Sequence, residues 1–439
     1  MPAPLLAIET SPDLPREADI VVIGGGIVGT STAYYLARRG VKVALLEKGR
    51  IGAEQSSRNW GWVRQQNRDA RELPMATTSL ALWDEMQAEI GESLGFRRSG
   101  LLYLSNDEAE IAGWARWRDL ARTFGVSTTV LSAAEATARG AATGKPWKGG
   151  VFSPTDGIAD PERAAPVIAR GIIAAGGSVH QGCAARGLDL AAGRVAAVVT
   201  EKGTIRTSTV ILAAGAWASS FCHQYGVGFP QAAIRSSILA IGPGGQGPDA
   251  LHTAAISFTR RGDGGYTLAV SGHARVDPTP QQLRFAKHFL PMFARRWRVL
   301  RPGGLQAWQA GHETRARWAL DRPTPMERTR VLDPDPDIGM IATTLARARA
   351  LIPNLAEIPV TARWAGYIDS TPDGVPAIGE TTLPGLVLAA GFSGHGFGIG
   401  PGAGHMIADM VTGVSPILDP APYAPARFAE SAWGKVSEF

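Results

Sequence analysis

Three glycines at fixed spacing follow a run of β-branched residues: Gly24-x-Gly26-x-x-Gly29 comes directly after Ile20 to Ile23. Glycines in this pattern allow a tight turn, let a phosphate approach the backbone and let a helix pack closely on a strand. Glu47 follows about twenty residues later, where a carboxylate accepts hydrogen bonds from ribose hydroxyls. Together these residues predict a dinucleotide-binding site.

The elements that must position these residues are a strand, a helix and a second strand. Ile20 to Ile23 have the composition of a strand buried on both faces, Thr30 to Arg39 read as a helix, and Val41 to Leu46 read as another buried strand. The helix N-terminus offers N–H groups and a positive dipole end to the phosphates. Both a nicotinamide dinucleotide and FAD are compatible with this unit.

Composition narrows the class of protein. The 439 residues favour two domains, and 45% hydrophobic with 19% charged residues is typical of a globular protein. A net charge of +5, with Lys and Arg spread along the chain, predicts no nucleic-acid partner. Cys183 and Cys222 form neither a disulfide framework nor a CxxC motif, so we predict no metal site and a reducing compartment.

The chain shows no signal-peptide pattern and no run of about eighteen apolar residues. We therefore expect a cytoplasmic protein with at most peripheral contact with the inner face of the membrane.

The remaining pattern predicts the fold. Buried strands recur at Thr209 to Leu212 and at Leu386 to Ala390, and a glycine-rich turn then opens a helix at Gly400, with Pro401 in its first turn. Between 228 and 363 the pattern is β-rich. We predict an α/β fold with a Rossmann-type dinucleotide-binding domain and an inserted β-rich α+β domain. The predicted ranges are 1–80, 150–226 and 364–439 for the first, and 81–149 and 227–363 for the second.

Six motifs in order carry a family resemblance: GGGIVG, SSRNWG, DGIADP, VILAAGAW, TPDGVPAIG and GFSGHGFGIGPGAG. They resemble the D-amino-acid oxidase / sarcosine oxidase family of FAD-dependent amine oxidoreductases over nearly the whole chain. The resemblance implies that the dinucleotide is FAD. It also implies a Rossmann-type FAD-binding domain with a parallel sheet, and a β-rich substrate domain over the flavin.

The resemblance and the glycine-rich turns predict the cofactor-binding residues. These are Gly24, Gly26, Ile27, Val28, Gly29, Glu47, Lys48, Ser56, Ser57, Arg58, Asn59, Trp60, Gly61, Ala184, Ala214, Gly215, Trp217, Gly366, Gly394, His395, Gly396, Phe397 and Gly398. Relatives that attach FAD covalently use a cysteine at the position of Gly366 or a histidine within the segment SSRNWG. Neither is present here, so we predict non-covalent FAD.

The resemblance also implies the chemistry: a hydride moves from the carbon next to an amine to flavin N5, and water hydrolyses the imine. The expected substrate is a D-amino acid or an N-alkyl amino acid. Arg64 is the predicted ligand of its carboxylate, because in similar proteins an arginine at this place faces the flavin, and Arg58 is the second candidate.

Two further residues complete the candidate catalytic set. Tyr367 would close the pocket or bond to the substrate, or else pack in the core. His395 would position the flavin loop rather than act as a base. Relatives of the sarcosine oxidase type carry a lysine where this chain has Gly398, which would leave space for a bulkier substrate.

The electron acceptor is predicted from a loose alignment. Oxidases of the family place a lysine over the flavin where this chain has Ala269, which favours a dehydrogenase that passes electrons to a quinone or a carrier protein, with O2 as the alternative. A basic helix from Gln281 to Arg298 would dock to a membrane surface or carrier, or would pack its apolar face on the substrate domain, which is the simpler interpretation. Two other functions stay open: a nicotinamide-dependent dehydrogenase, and the flavin subunit of a multi-subunit amine dehydrogenase complex.

Overall fold

The computed structural model describes residues 3–305, 308 and 317–437. Several helices begin at caps that the local sequence specifies, such as the capping box of Ser132 and Glu135. The α-helices of these residues are α1 (Ile27–Arg38), α2 (Leu73–Ile90), α3 (Glu108–Arg122), α4 (Ala133–Arg139), α5 (Pro161–Ala174), α6 (Ala218–Gln224), α7 (Pro280–Arg284), α8 (Leu290–Arg296), α9 (Pro325–Arg328), α10 (Ile338–Leu351) and α11 (Gly396–Thr412).

The strands are short and mostly apolar, as the sequence predicts for the buried ones. In chain order they are β1 (Ile20–Ile23), β2 (Val43–Leu46), β3 (Trp62–Val63), β4 (Leu101–Ser105), β5 (Thr129–Leu131), β6 (Gly149–Ser153), β7 (Gly157–Ile158), β8 (Ser178–His180), β9 (Ala185–Ala191), β10 (Arg194–Thr200), β11 (Gly203–Arg206), β12 (Thr209–Leu212), β13 (Ala232–Ile241), β14 (Ala250–His252), β15 (Ser257–Arg260), β16 (Tyr266–Ala269), β17 (Ala274–Val276), β18 (Leu300–Pro302), β19 (Val360–Ser370), β20 (Ala377–Glu380) and β21 (Leu386–Ala390).

The first large sheet has the order β20-β21-β12-β1-β2-β8, parallel except for the edge strand β20. Alternate residues of β1 enter two different cores: Ile20 and Val22 pack with α1, α5 and α11, and Val21 and Ile23 pack on the opposite face. A strand buried on both faces must be apolar throughout, which explains its unbroken β-branched sequence. The predicted parallel sheet is confirmed.

The second large sheet follows the order β18-β17-β13-β16-β15-β14-β4-β6-β5, and β19 pairs with β13. Most of its pairings are antiparallel, and the predicted β-rich character of the insertion is confirmed. The predicted boundaries at 150 and 364 fall inside β6 and β19, which are both strands of this sheet. Strands from both predicted domains therefore belong to the second large sheet, so the domain division stays a prediction.

The basic segment 280–302 is not the continuous helix that its sequence predicts. It forms α7, a 3-10 turn at Ala286–Phe289, and α8, and Pro291 near the start of α8 has no N–H to continue a helix from the preceding turn. Four apolar side chains are more than half exposed, namely Leu283, Leu290, Phe293 and Trp297. The simpler interpretation, an apolar face packed on the substrate domain, is therefore wrong for these four residues. Among the described residues, no helix combines the length and the apolar character needed to cross a bilayer.

The C-terminal helix α11 begins four residues earlier than predicted, so Pro401 lies inside it rather than in its first turn. A Cβ at Gly400 would lie 2.8 Å from Ile27 of α1, and one at Gly404 would lie 2.6 Å from Ser31 of α1. Gly400 therefore serves helix packing rather than cofactor approach. The helix ends where Gly413 adopts a left-handed conformation with φ of +70°.

Candidate active site

A cavity of about 1130 Å³ lies at the carboxyl ends of the parallel strands. The residues that follow β1, β2 and β12 line one end of it, among them Gly24 and Glu47. The other end is lined by Arg64, Arg68 and Tyr103. Ligands of open parallel sheets bind at this edge, because the loops after the strands converge there.

Two of the predicted glycines have a clear steric reason. Gly24 has φ of +112°, and a Cβ there would overlap the carbonyl oxygen of Ala213. A Cβ at Gly29 would overlap the carbonyl oxygen of Gly24. The first strand, the turn and α1 therefore come together only with glycine at both positions.

The N-terminus of α1 offers backbone donors to the cavity. Its N-cap, Gly26, lines the cavity and has no side chain to accept from the first turn, which contains no acid. The N–H of Ile27 donates to Ser56 Oγ over 2.8 Å, which fixes the neighbouring segment against the helix. This arrangement suits the pyrophosphate of a dinucleotide.

Glu47 lies where the ribose carboxylate was predicted. Its Oε2 accepts from the N–H of Gly25 over 2.8 Å, and its Oε1 accepts from the N–H of Gly49 over 2.6 Å. Burial raises the pKa of Glu47. The two backbone bonds orient the carboxylate and connect the glycine turn to the end of β2.

A second glycine-rich turn reaches the cavity at the start of α11. Gly394, Gly396 and Gly398 line the cavity, and α11 also begins without a side-chain cap or an acid in its first turn. Asp369 supports this turn, because its Oδ2 accepts from the N–H of Gly391 over 2.7 Å. Burial raises the pKa of Asp369 to about 6.

Most of the predicted cofactor residues line the cavity, and four lie behind its wall: Gly29, Ser57, Gly61 and Ala184. The N–H of Ala184 donates to Glu201 Oε1 over 2.6 Å, and the next residue, Ala185, forms the wall in its place. Gly61 packs against the carbonyl oxygen of Ala159. These four positions shape the wall, so a direct cofactor contact stays only a prediction.

Arg64 enters the cavity directly after β3. Its Nη1 donates to the carbonyl oxygen of Gln66 and, over 2.8 Å, to Tyr103 Oη. A Cβ at Gly398 would lie 3.1 Å from the carbonyl oxygen of Trp62. The backbone of β3 therefore lies close to Gly398 on one side, and the expectation that Gly398 leaves space for a bulkier substrate stays a prediction.

Arg58 stabilises the fold, because its guanidinium group is already bonded to protein groups. Its Nη1 donates to Asp333 Oδ1 over 2.6 Å and to Ala365 O over 2.7 Å, and its Nε donates to Ala53 O over 3.1 Å. Its aliphatic stem also packs beside Gly366, where a Cβ would lie 3.2 Å from it.

Tyr367 lines the cavity with its ring, while its hydroxyl points into a buried network. Its Oη donates to Asp277 Oδ2 over 3.2 Å, and the same carboxylate accepts from Arg235 Nε over 2.7 Å. Burial raises the pKa of Tyr367. The network holds the middle of β19 against β17.

His395 is paired with a carboxylate that the sequence did not indicate. Its Nδ1 lies 2.9 Å from Oε2 of Glu72, a residue at the start of α2 whose side chain is fully buried. Burial lowers the pKa of His395, and the charge of Arg68 adds to this effect. The two residues are 323 positions apart, so no local spacing could reveal the pair.

Three more residues of the arginine-lined end were not predicted: Arg68, Tyr103 and His252. The rings of Tyr103 and His252 contact each other at a tilt, with centroids 4.6 Å apart, and they belong to different strands of the second sheet. Arg68 had a signal in the sequence, since it stands four residues after Arg64 in the same polar segment.

These features together fit a bound FAD. The cavity is long, both of its helix N-termini lack side-chain caps, and Glu47 lies at the end that the first glycine turn defines. The opposite end carries guanidinium groups and aromatic rings, which are suitable for a small amino-acid substrate.

Comparisons with known proteins agree with this geometry. The family profile described as FAD dependent oxidoreductase (DAO) matches residues 19–410. Glycine oxidase from Pseudomonas aeruginosa is 27% identical over 427 residues, which cover 93% of this chain and 98% of that protein. Mitochondrial sarcosine dehydrogenase from Mus musculus is 27% identical over 96% of this chain, but the chain spans only 42% of that relative's length.

The fold comparison extends over nearly all of the chain. L-Amino acid deaminase from Proteus myxofaciens, solved in complex with anthranilate, has a TM-score of 0.92 and 28% sequence identity, with 98% of this chain and 97% of that chain covered. The profile match and the cavity show that this chain belongs to the DAO family of FAD-dependent oxidoreductases, with FAD as its cofactor.

Proposed function

We propose that this protein oxidises the C–N bond of an amino acid with a primary or N-alkylated amino group. Bound FAD supplies the hydride acceptor for the carbon next to the amine, and water hydrolyses the resulting imine. The observation that carries the proposal is the continuity of the cavity, which runs from the dinucleotide loops to an end lined by Arg64. A nicotinamide enzyme would explain the first glycine turn but not the second one.

The arginine-lined end receives the substrate carboxylate. Arg64 is half-buried, and its Nη1 is held by Gln66 and Tyr103, so its position is fixed before a ligand arrives. A guanidinium group binds a carboxylate through two directed, charge-assisted hydrogen bonds.

His395 accepts the proton that an ammonium substrate must lose before the adjacent carbon can release a hydride. Its Nδ1 is held by Glu72, which leaves Nε2 as the acceptor, and burial lowers the pKa of His395, which favours the neutral imidazole. The resemblance alone gave His395 only a positioning role. The buried partner Glu72 is the observation that supports a role for His395 as the proton acceptor.

FAD is held without a covalent bond in this proposal. Cys183 and Cys222 are both free and buried, and neither lines the described cavity. Gly366 occupies the position of the attaching cysteine in some relatives. Acid precipitation of the purified protein should release all of the yellow colour to the supernatant; colour that stays in the pellet would contradict this part.

The electron acceptor in this proposal is a quinone at a membrane surface, which would take the electrons from bound FAD. Ala269 is fully buried among apolar side chains, so it offers no cation at the position where oxidases carry a lysine. Segment 280–302 lines the cavity through Phe289 and Leu290, and it exposes Phe293 and Trp297 beside several basic residues. Exposed apolar and basic side chains together favour an anionic lipid surface.

The docking proposal is tested with the pair Lys287→Ala and Arg298→Ala in one variant. Quinone-linked turnover with vesicles of anionic lipid should fall severalfold, and reduction of the flavin by substrate should stay unchanged. Vesicles of neutral lipid provide the control. Unchanged turnover in the variant would refute a docking role for this segment.

The reaction itself is tested by anaerobic bleaching of the visible flavin band. Sarcosine, larger N-alkyl amino acids and both enantiomers of alanine, proline and phenylalanine should be offered in turn. Bleaching by at least one of them is expected. If none bleaches a protein that carries FAD, the proposed substrate class is wrong and a role as the flavin subunit of a larger complex is favoured.

A further inference from the structure

The loop of residues 64–68 carries a buried arginine, Arg68, and the fold leaves two of its donor atoms without a hydrogen-bond partner. Arg68 is 3% exposed and lines the cavity, yet its Nε and Nη1 have no hydrogen-bond partner. The acids that act on it electrostatically are used elsewhere: Glu72 bonds to His395, and Asp156 accepts from the backbone N–H groups of Gln65 and Gln66. Buried donors without partners are costly, which indicates that a ligand completes the site.

The backbone conformation of the loop is unusual and firmly supported. Asn67, directly before Arg68, has φ of +56°, a left-handed conformation that few residues other than glycine adopt. Trp117 Nε1 donates to the carbonyl oxygen of Arg68 over 2.9 Å. The two bonds from Asp156 hold the other side of the turn, at 2.8 Å and 3.2 Å.

Gln66 adds a third support, because its Oε1 accepts from Ser153 Oγ over 2.7 Å and from Thr128 Oγ1 over 3.1 Å. These buried hydrogen bonds fix the backbone of the loop and therefore the position from which the Arg68 side chain extends. Strain that is held in place in this way is typical of ligand-binding positions.

We propose that Arg68 is the principal anchor of the substrate carboxylate, with Arg64 as the second donor. The assignment deepens the proposed function, on which it rests, and it makes a free carboxylate an obligatory part of the substrate. Amino acids would be accepted, and amines without a carboxylate would be rejected. Arg64 already donates through Nη1 to two protein groups, whereas Nε and Nη1 of Arg68 have no protein partner.

Two further observations agree with an anion at this place. Burial, together with the nearby charge of Arg64, lowers the pKa of Arg68 to about 9. Two like charges in one buried wall repel each other, and a carboxylate between them would relieve this repulsion. Trp62 Nε1, also in the wall, has no partner either and offers another donor.

The test uses equilibrium binding, which does not depend on turnover. Anthranilate and aniline differ only by the carboxylate, and each is titrated by calorimetry into the FAD-loaded protein. The wild-type protein should bind anthranilate much more tightly than aniline. Arg68→Met should weaken anthranilate about 10- to 100-fold, which is the range expected for a lost charge-assisted pair, and leave aniline unchanged.

Arg68→Lys keeps the positive charge but not the planar guanidinium group, so it should bind anthranilate with an intermediate affinity. Arg122→Ala, at an exposed position of α3, is the matched control and should bind anthranilate like the wild-type protein. FAD content and the visible spectrum show whether each variant is folded. If Arg68→Met does not bind FAD, the affinity of Arg68→Lys for anthranilate is the decisive measurement. An affinity equal to that of the wild-type protein would overturn the assignment.

The outcomes separate this inference from the proposed reaction. Loss of anthranilate binding in Arg68→Met supports the anchor even if no amino acid bleaches the flavin, in which case the reaction alone is refuted. Amino acids could instead bleach the flavin with the same half-saturating concentration in the wild-type protein and in Arg68→Met. This result would support the proposed reaction and overturn the assignment of Arg68 as the anchor. Equal affinity of the wild-type protein for anthranilate and aniline would overturn it as well.

Discussion

His252 lies at the arginine-lined end of the cavity, where its ring contacts Tyr103 and its Nδ1 lies 2.9 Å from Ser257 Oγ. Burial, with the charge of Arg64 as the second cause, lowers the pKa of His252 to about 4. The usual pKa of a histidine in an unfolded chain is about 6.5. The side chain is therefore neutral in the folded protein at pH values where the unfolded chain has already bound a proton.

This difference predicts a loss of stability in acid. As the pH falls from 6.5 towards 4, protonation of His252 favours the unfolded state, so its contribution to stability is lost in that window. His252→Gln should remove this part of the pH dependence. The measurement is Tm against pH for both proteins.

The comparison with the variant is necessary because other buried groups act in the opposite direction. Burial raises the pKa of Asp156 and of Asp369 to about 6, so each favours the folded state as the pH falls through 6. These two carboxyl groups are common to both proteins. Parallel Tm curves for wild type and variant would contradict the assignment of a depressed pKa to His252.

Helices α1 and α11 pack closely, and both direct their N-termini at the cavity. Glycines make this contact possible: a Cβ at Gly404 would lie 2.7 Å from backbone atoms of Ser31 and Thr32. Because the neighbours are backbone atoms, the helices must separate to accept a side chain. The cofactor loops are attached to the same two helices, so packing and cofactor binding are connected.

Gly404→Ala should therefore lower both stability and affinity for FAD. Overpacking of this kind costs about 1–3 kcal/mol in the free energy of unfolding. Urea denaturation and the dissociation constant of FAD check the two effects. Gly228→Ala, with no atom within 4 Å of its added Cβ, is the control and should change neither. Equal behaviour of the two variants would show that α1 and α11 tolerate the methyl group.

At the scale of the whole molecule, the turn of the TPDG motif connects the two large sheets, since it joins β19 to β20. Asp373 in this turn is 4% exposed and bonds to Arg71 Nη1 over 3.1 Å and to Arg427 Nε over 3.0 Å. Arg71 also bonds to the carbonyl oxygen of Lys435, so the C-terminal residues close over the same cluster. One carboxylate thus holds together three distant parts of the chain.

Asp373→Ala should lower the free energy of unfolding by about 1.5–3 kcal/mol, because Arg71 and Arg427 would lose their shared partner while Arg71 keeps its bonds to Asp69. Asp321→Ala removes a carboxylate whose side chain is 83% exposed, and it should change stability by less than about 0.5 kcal/mol. Urea denaturation compares the two. A loss in Asp373→Ala no larger than in this control would contradict the role of the cluster.

The sequence by itself determined the parallel sheet, the first glycine turn and most of the cofactor wall. These features depend on local order: a strand buried on both faces must be apolar throughout, and a turn that meets another backbone must be glycine. Gly24 is glycine for the second of these reasons. Glu47 and Arg64 line the cavity, and their roles toward the ribose and the substrate carboxylate stay predictions.

Only the tertiary structure decided which side chains meet and which are left unpaired. Glu72 reaches His395 from a distant part of the chain, and the backbone of β3 lies close to Gly398. Arg68 stands four residues after Arg64 in a polar segment of the sequence, but it becomes a candidate anchor because burial removes its water while Nε and Nη1 find no protein partner. Contacts between distant segments and the burial of a charge depend on how the whole chain packs, and no local pattern of residues contains that information.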